Sequence, residues 1–341
     1  MPKTIRNGTF DKKLNYENLE KAYFLAKKNK TTKPEVVRFT LKYELYLEYL
    51  LERLKNLNYK HGKYRVFYIK YPKLRKVEAS SFMDRIVHTF IVENFLKPYY
   101  LPRFIENSYA CLPGKGMHNA CLKVYKDMKH CTYSWNSFYI LKMDIKKYFE
   151  NIDKKVLFEL LQKRIYDRKL LIIIYRIINS KKGKKGLPIG NYTSQMFANI
   201  YLNEVDQYIK RELKCKYYYR YMDDSIVFFK TKKEAIEKLK DIERFLNNNL
   251  KLELNKKTQI FKSSQGVNFC GYKINPYRIK IRNRNKKSLK KTIKNIKKTI
   301  KIQKVELREI QKQLAGYKGY ISIANTFNLI KKEFRIKRKI L

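Results

Sequence analysis

The sequence predicts an α+β fold in which an antiparallel sheet carries acidic residues and a basic helical segment ends the chain. Two apolar runs typical of strands, residues 138–145 and 226–229, each adjoin aspartates. Leucines at helical spacing fill much of the region before residue 60, and lysine-rich sequence with helically spaced Ile and Leu begins at residue 282. These patterns indicate helices and strands in one chain.

The first hundred residues are predicted to be mainly helical. The apolar positions at helical spacing are Leu41, Leu45, Leu47, Leu50, Leu51 and Leu54. Residues 58–69 alternate like a pair of strands, and the basic residues 70–76, which include a proline, indicate a loop suited to a triphosphate. A second helix is predicted over residues 84–95. A third is predicted to start near His118, after a Gly-Lys-Gly turn.

The sequence Tyr221-Met222-Asp223-Asp224 lies between an aromatic run and an apolar run, which predicts a carboxylate turn on a β-hairpin. An Asp pair in a turn is weak evidence by itself, because Asp is common in turns. The strand over residues 138–145 adds Asp144 at the end of an apolar run, so three carboxylates can converge. Such a site can hold two Mg²⁺ ions roughly 3.5 to 4 Å apart, which predicts nucleotidyl transfer.

The remaining elements are predicted from turn and helix signals. Residues 187–195 contain Pro and Gly that let the backbone lie near a ligand, and Thr193 or Ser194 is predicted to cap a helix ending near Leu213. A helix over residues 233–249 and strands over 252–261 and 267–274 follow. In the basic end segment, one helical face is predicted from Leu289, Ile293, Ile296 and Ile300.

The charge predicts a polyanionic partner. The chain has 79 Lys and Arg against 30 Asp and Glu, a formal charge of +49 on 341 residues. Tyr and Phe alternate with cations in residues 63–68 and 216–220, which indicates stacking on bases. AT-rich coding also produces a Lys-, Ile- and Asn-rich composition, so part of the excess can be ordinary solvated surface.

The sequence predicts a cytoplasmic protein with no membrane segment. No stretch reaches the roughly 20 apolar residues needed to cross a bilayer, and the N-terminus runs into polar sequence. The cysteines are Cys111, Cys121, Cys131, Cys215 and Cys270. They form no CxxC pair, so reduced and partly buried thiols are expected rather than a zinc site or disulfides.

In this order, the motifs resemble the reverse transcriptase family over nearly the whole chain. The resemblance implies a right-hand polymerase, with an N-terminal extension and fingers over residues 1–140, a palm over 141–275 and a basic helical thumb over 276–341. A fingers-associated insertion would occupy about residues 155–190 of the palm. The implied activity is RNA-directed DNA polymerisation with two Mg²⁺ ions, and the partners are template RNA, a cDNA/RNA hybrid and dNTPs.

The resemblance also implies roles for single residues. The metal site would comprise Asp144, Ile145, Asp223 and Asp224, with the three aspartates catalytic. The dNTP site would comprise Lys70, Lys73, Arg75, Phe149, Ile189, Gly190 and Lys257, with Lys256 as the alternative to Lys257. Phe149 matches the steric gate that blocks a ribose 2′-hydroxyl. The primer grip would be Phe269, Cys270, Gly271 and Tyr272.

Residues 189–195, Ile-Gly-Asn-Tyr-Thr-Ser-Gln, resemble the IGxxxSQ motif of the reverse transcriptases of diversity-generating retroelements. An Ile cannot form a hydrogen bond that a Gln could, so this resemblance implies copying errors at template adenines. It also implies a small basic accessory protein, the accessory variability determinant. Tyr71 and Leu112 depart from that branch's pattern.

Two other functions stay open. Compact antiphage-defence reverse transcriptases can share the IGxxxSQ motif, so the same polymerase acting in defence against phage is the alternative. A non-catalytic RNA-binding scaffold is the hypothesis from another class, but a scaffold has no reason to keep Asp144, Asp223 and Asp224 together with Phe149.

Overall fold

The computed structural model describes residues 4–70, 74–302 and 306–334. The chain forms two compact units. Unit 1 comprises Met1–Glu106, Ile145–Glu212 and Ile242–Leu254, and unit 2 comprises Asn107–Asp144, Leu213–Asp241 and Asn255–Leu341. The division into fingers, palm and thumb at the residue boundaries given above stays a prediction.

Helices make up most of unit 1 and the end of unit 2. They are α1 (Thr9–Lys13), α2 (Tyr16–Lys27), α3 (Pro34–Thr40), α4 (Tyr43–Lys55), α5 (Phe82–Ile91), α6 (Lys97–Tyr100), α7 (Met117–Trp135), α8 (Tyr148–Asn151), α9 (Lys154–Gln162), α10 (Arg168–Asn179), α11 (Tyr192–Gln207), α12 (Lys232–Leu250), α13 (Asn283–Ile302), α14 (Leu307–Ile323) and α15 (Phe327–Phe334). Turns of π-helix, Val92–Leu96 and Tyr208–Glu212, extend α5 and α11.

The strands are short and antiparallel. They are β1 (Arg65–Ile69), β2 (Arg75–Ala79), β3 (Tyr139–Asp144), β4 (Tyr218–Tyr221), β5 (Asp224–Phe229), β6 (Gln259–Lys262), β7 (Val267–Phe269), β8 (Tyr272–Asn275) and β9 (Arg278–Ile281). They form a hairpin β1-β2, a sheet of order β4-β5-β3-β6 and a sheet of order β7-β8-β9. Helices beside antiparallel sheets confirm the α+β prediction.

The predicted helices before residue 140 are confirmed, but the predicted strand pair over residues 58–69 is wrong. Only Arg65–Ile69 is a strand there, and its partner is Arg75–Ala79, which begins inside the segment 70–76 predicted as a loop. In α4, Leu47, Leu50 and Leu54 are buried. Leu41 and Leu45 are exposed.

The four-stranded sheet of unit 2 forms around an apolar core. Ile140 of β3 and Phe228 of β5 are register partners, and both lie in a buried cluster with residues of α7, such as Cys121 and Met128. Ile140, Lys142 and Asp144 share one face of β3, and along that face Ile140 is buried in the cluster whereas Lys142 and Asp144 are partly exposed.

The second sheet joins the core of unit 2 to the basic helices. The strand predicted over residues 267–274 is instead a hairpin, because Cys270 and Gly271 both have positive φ, 49° and 85°, as a two-residue type I′ turn requires. Along α13, Leu289, Ile293 and Ile296 are buried, whereas the predicted fourth position, Ile300, is 51% exposed.

Three further predictions are tested by the contacts. Neither Thr193 nor Ser194 caps α11, since the helix begins after Asn191 and its cap has no side-chain hydrogen bond. All five cysteines are free, as predicted, and Cys111 alone among them is exposed. Within the described residues, no helix has both the length and the apolar character needed to span a membrane.

Candidate active site

Asp144 and Asp224 are register partners on neighbouring strands of unit 2. Asp144 is the last residue of β3 and Asp224 is the first residue of β5. Asp224 also pairs with Tyr221, the last residue of β4, across the β4-β5 hairpin. Directly opposed residues of an antiparallel pair have Cα atoms roughly 4.5 to 5.5 Å apart. Asp223 lies in the two-residue turn beside them. The structure therefore brings the two acidic strands side by side in unit 2, and the convergence of the three carboxylates on one metal site stays a prediction.

The buried side chain of Arg220 stabilises the turn between β4 and β5. Met222 has φ 56°, a left-handed conformation that is uncommon for a residue with a side chain. Arg220 Nη1 donates a hydrogen bond to the Met222 carbonyl at 3.1 Å, and the arginine is 2% exposed. Its backbone bonds Asn107 and Tyr109 on the opposite side. The arginine thus fixes a strained turn that presents Asp223.

This arrangement corrects the stacking prediction for residues 216–220. Tyr217, Tyr218, Tyr219 and Arg220 are buried in the structure. Tyr219 donates a hydrogen bond to Asp127, which lies on α7. These rings stabilise the sheet and are not available to bases. In residues 63–68, by contrast, Phe67 and Tyr68 are exposed.

Lys142 is the cation that sequence reasoning missed. It precedes Asp144 by two residues on β3, so both side chains leave the same face of the strand. Its Nζ lies 3.0 Å from Asp224 Oδ1 and 3.3 Å from Oδ2, and it donates to the Asn268 carbonyl at 2.5 Å. The period-two alternation of a strand was the signal that could have identified it.

The surroundings of Asp224 favour its protonated form. Burial raises the pKa of Asp224 to about 6, against the opposing effect of the Lys142 ammonium. The negative charges of Asp144 and Asp223 raise this pKa further. A carboxyl that resists ionisation beside two other carboxyls is typical of a site completed by additional positive charge.

The donor set fits a hard divalent cation. Carboxylate oxygens are the ligands that Mg²⁺ prefers, and both carboxylate oxygens of Asp224 already face a cation, the Lys142 ammonium, at 3.0 and 3.3 Å. In residues 4–70, 74–302 and 306–334, however, no three His, Cys, Asp or Glu side chains stand close enough together to hold a metal. A bound cation would have to draw the carboxylates closer together than they stand in this structure.

The residues predicted for the triphosphate lie on the β1-β2 hairpin of unit 1. Arg75 pairs in register with Ile69, and both Lys70 and Arg75 are exposed. Lys73 lies outside the described residues. The hairpin thus presents at least two solvated cations beside exposed aromatic side chains.

Phe149, Ile189 and Gly190 also belong to unit 1. Phe149, in α8, is half-buried, and its carbonyl accepts a hydrogen bond from the Leu187 amide at 2.8 Å. The Ile189 carbonyl accepts one from the Glu78 amide of β2 at 3.2 Å. Gly190 has φ 123°, and a Cβ there would lie 3.3 Å from Val77. The backbone on both sides of the Ile189 side chain is therefore constrained.

The predicted primer-grip residues form the β7-β8 turn of unit 2. Phe269, Cys270 and Tyr272 are buried in the apolar core, so this turn can offer a ligand its backbone more readily than these side chains. Lys256 and Lys257 are exposed in a turn stabilised by Asn255, whose side chain accepts from the Lys257 amide at 3.2 Å. The two lysines are not distinguished by their exposure.

Comparisons with known proteins agree with this geometry. Residues 60–274 match the family model described as reverse transcriptase (RNA-dependent DNA polymerase). The group II intron-encoded protein LtrA of Lactococcus lactis subsp. cremoris is 25% identical, covering 72% of this chain and 52% of its own length. Protein YkfC of Escherichia coli (strain K12) is 24% identical, covering 59% and 63%. The chain therefore spans about half to three fifths of these relatives.

A solved structure supports the fold. Telomerase from Candida albicans, in complex with a TWJ fragment of telomeric RNA, matches with a TM-score of 0.50 at 12% identity. The match covers 82% of this chain and 63% of the telomerase chain. With the family match, this likeness supports the predicted right-hand polymerase fold.

Proposed function

This chain belongs to the reverse transcriptase (RNA-dependent DNA polymerase) family, and we propose that it synthesises cDNA on a template RNA. The observation that carries the proposal is the register pairing of Asp144 with Asp224 beside the Asp223 turn. Three carboxylates at one edge of a sheet suit nucleotidyl transfer and have no purpose in a protein that only binds RNA.

The carboxylates are the proposed metal ligands. Asp144, Asp223 and Asp224 would hold the magnesium, with Ile145 next to them in the chain. Two magnesium ions, when bound, supply charge stabilisation for the attacking and leaving oxygens of phosphoryl transfer. The protein's own contribution is to keep the aspartates on a rigid sheet edge, through the Arg220 hydrogen bond to the turn.

We assign nucleotide selection to residues of unit 1. Lys70, Lys73 and Arg75 would neutralise the triphosphate, while the ring of Phe149 would exclude a ribose 2′-hydroxyl. Ile189 and Gly190 would face the new base pair, and their backbone is held against β2. In unit 2, Lys257 or Lys256 would neutralise the departing pyrophosphate.

The nucleic acid would be bound by basic side chains and by main-chain groups of the protein. The β7-β8 turn at Phe269, Cys270, Gly271 and Tyr272 would contact the primer through its main chain. The basic helix α13 would neutralise phosphates of the cDNA/RNA hybrid, because its lysines surround a narrow buried face. A net charge of +49 predicts RNA affinity that falls steeply with salt.

The finer proposal is error-prone copying in a diversity-generating retroelement. It rests on the IGxxxSQ motif at residues 189–195 and on Ile189, whose half-buried side chain has no hydrogen-bonding group. Such a system would include a small basic accessory protein. The same motif supports a second candidate, a compact retroelement or antiphage-defence reverse transcriptase that copies faithfully.

Primer extension tests the activity. The purified chain, with Mg²⁺ and dNTPs on a primed RNA, is expected to make cDNA. Asp223→Asn should reduce the rate at least about 10²-fold, since a metal ligand contributes several kcal/mol and each 1.4 kcal/mol is a factor of ten. RNA binding should be retained. Asp11→Asn, which removes an exposed carboxylate of unit 1, is the matched control. Extension that survives Asp223→Asn would overturn the site.

Sequencing of the cDNA tests the finer proposal. Substitutions concentrated opposite template adenines, and reduced by Ile189→Gln, support diversity generation. Faithful cDNA from the wild type would keep the polymerase and favour the second candidate. An RNA-binding protein with no extension on any primed template would support the scaffold instead.

A further inference from the structure

Lys142 occupies a position that its surroundings define closely. It lies on the strand that ends in Asp144, and its ammonium is held between the Asp224 carboxylate and the Asn268 carbonyl. The lysine side chain is 18% exposed and that of Asp224 is 33% exposed. The ion pair is therefore only partly shielded from water, and its contribution is modest.

The second contact gives the lysine an alternative partner. Asn268 lies in β7, two residues before the turn at Cys270 and Gly271, and its carbonyl receives the shortest of the lysine's hydrogen bonds. If the Asp224 carboxylate bound another cation, the Lys142 ammonium would still donate a hydrogen bond to the Asn268 carbonyl of β7. Release of the carboxylate therefore does not leave a buried donor without a partner.

We propose that Lys142 is a built-in counter-cation of the carboxylate site, which holds Asp224 in the metal-free protein and competes with the divalent metal for it. This inference rests on the proposed metal site. Three observations carry it: Lys142 Nζ lies 3.0 Å from Oδ1 and 3.3 Å from Oδ2 of Asp224, the ammonium has a second acceptor in the Asn268 carbonyl, and the described residues contain no group of three acidic, His or Cys side chains close enough to hold a metal while the lysine is paired.

The proposed competition predicts the direction in which the metal affinity changes when Lys142 is replaced. A cation that must give up its partner lowers the apparent affinity of the next cation by the free energy of the lost pair. Removing the lysine charge should therefore tighten metal binding while destabilising the metal-free protein. A lysine with a purely structural role would destabilise both states equally and leave the affinity unchanged.

The test measures Mn²⁺ binding to the full chain in the absence of nucleotide and RNA. The electron paramagnetic resonance signal of free Mn²⁺ reports how much of the ion remains unbound. Lys142→Met is expected to bind Mn²⁺ about two- to five-fold more tightly than the wild type, the range expected for a partly exposed ion pair. Lys142→Arg, which keeps the charge, should bind like the wild type. Lys142→Gln keeps a donor for Asn268 and replaces the Met variant if that variant does not fold.

Thermal unfolding gives an independent readout. In EDTA, Lys142→Met should melt below the wild type, and the difference should shrink at saturating Mn²⁺, as linkage requires. Lys169→Met is the matched control, because it removes the same charge from the Lys169–Asp11 ion pair of unit 1. It should leave Mn²⁺ affinity unchanged.

The outcomes separate this inference from the proposed function. If wild-type Mn²⁺ binding is abolished by Asp223→Asn but is not tightened by Lys142→Met or Lys142→Gln, the competition is overturned and the metal site stands. If the wild type shows no Mn²⁺ binding that depends on Asp223, the metal site itself fails, and the inference fails with it.

Discussion

The imidazole Nδ1 of His88 lies 2.8 Å from the hydroxyl oxygen of Thr193, and both residues are fully buried. The other ring nitrogen of His88 lies 3.1 Å from Nε2 of His61. Thr193 belongs to the first turn of α11, a few residues after Ile189 and Gly190. This contact therefore ties α5 to the start of the helix that follows the proposed nucleotide loop.

His88 makes the protein's stability depend on pH. Burial, followed by the charge of His61, lowers the pKa of His88 to about 3, so the folded protein keeps this ring neutral. The unfolded ring titrates near 6.5, so the contribution is complete above that pH and is lost as the pH falls toward 3. The free energy of unfolding should drop by roughly 2 kcal/mol between pH 6.5 and 5.

Urea unfolding followed by circular dichroism at pH 7, 6 and 5 checks this. His88→Gln should be less stable than the wild type at pH 7, with a flatter pH profile. His130→Gln, which changes an exposed imidazole, should keep the wild-type slope. Equal slopes for the wild type and His88→Gln would refute the assignment.

Asp224 should make the magnesium requirement depend on pH. Its pKa of about 6 means that a proton occupies the carboxylate as the pH falls through that value. Without metal, the raised pKa contributes stability at low pH that is lost as the pH rises through 6. With metal, the proton competes, so half-maximal primer extension should need about fourfold more Mg²⁺ at pH 5.5 than at 7.5.

Magnesium titrations of the initial extension rate at pH 5.5, 6.5 and 7.5 measure this effect. Circular dichroism at pH 5.5 establishes that the fold is intact. A requirement that stays the same from pH 7.5 to 5.5 would show that Asp224 does not take up a proton in this range.

Gly271→Ala should destabilise unit 2 by about 1 to 3 kcal/mol. The residue has φ 85°, and an added Cβ would lie 2.8 Å from Tyr320 Cε1 of α14. Gly114→Ala is the matched control, because Gly114 has φ 66° with nothing within 4 Å of its Cβ position. Thermal unfolding of both variants separates backbone strain from the collision. Equal losses would mean that Tyr320 moves aside freely.

Phe149→Ala should weaken discrimination against ribonucleotides. If the ring excludes the 2′-hydroxyl, its removal should lower the ratio of kcat/KM for a dNTP over the matching rNTP by about 10- to 200-fold, the effect of a change in pocket shape. Single-nucleotide extension measures the ratio. Phe158→Ala is the control: it removes a ring that contacts Tyr175 in the same unit, and it should leave the kcat/KM ratio of dNTP over rNTP unchanged. A variant that still excludes rNTPs would show that another residue is the gate.

The sequence by itself determined the helices, the carboxylate hairpin and the chemistry expected of it. These features depend on local signals: apolar alternation, turn residues, and the spacing of Asp144, Asp223 and Asp224 from their strands. One of its errors was also local. The hairpin over residues 267–274 looked like one strand because Cys270 is an unusual residue for a left-handed turn position.

The tertiary structure alone decided which charged and aromatic residues serve the fold and which remain available to a ligand. The Lys142–Asp224 pair joins residues 82 positions apart, and the His88–Thr193 contact joins residues 105 apart. Strand register and helix packing set such pairs, and no local pattern encodes them. For the same reason, the buried Arg220 and exposed Arg75 are indistinguishable as sequence: burial depends on what the rest of the chain packs against each side chain.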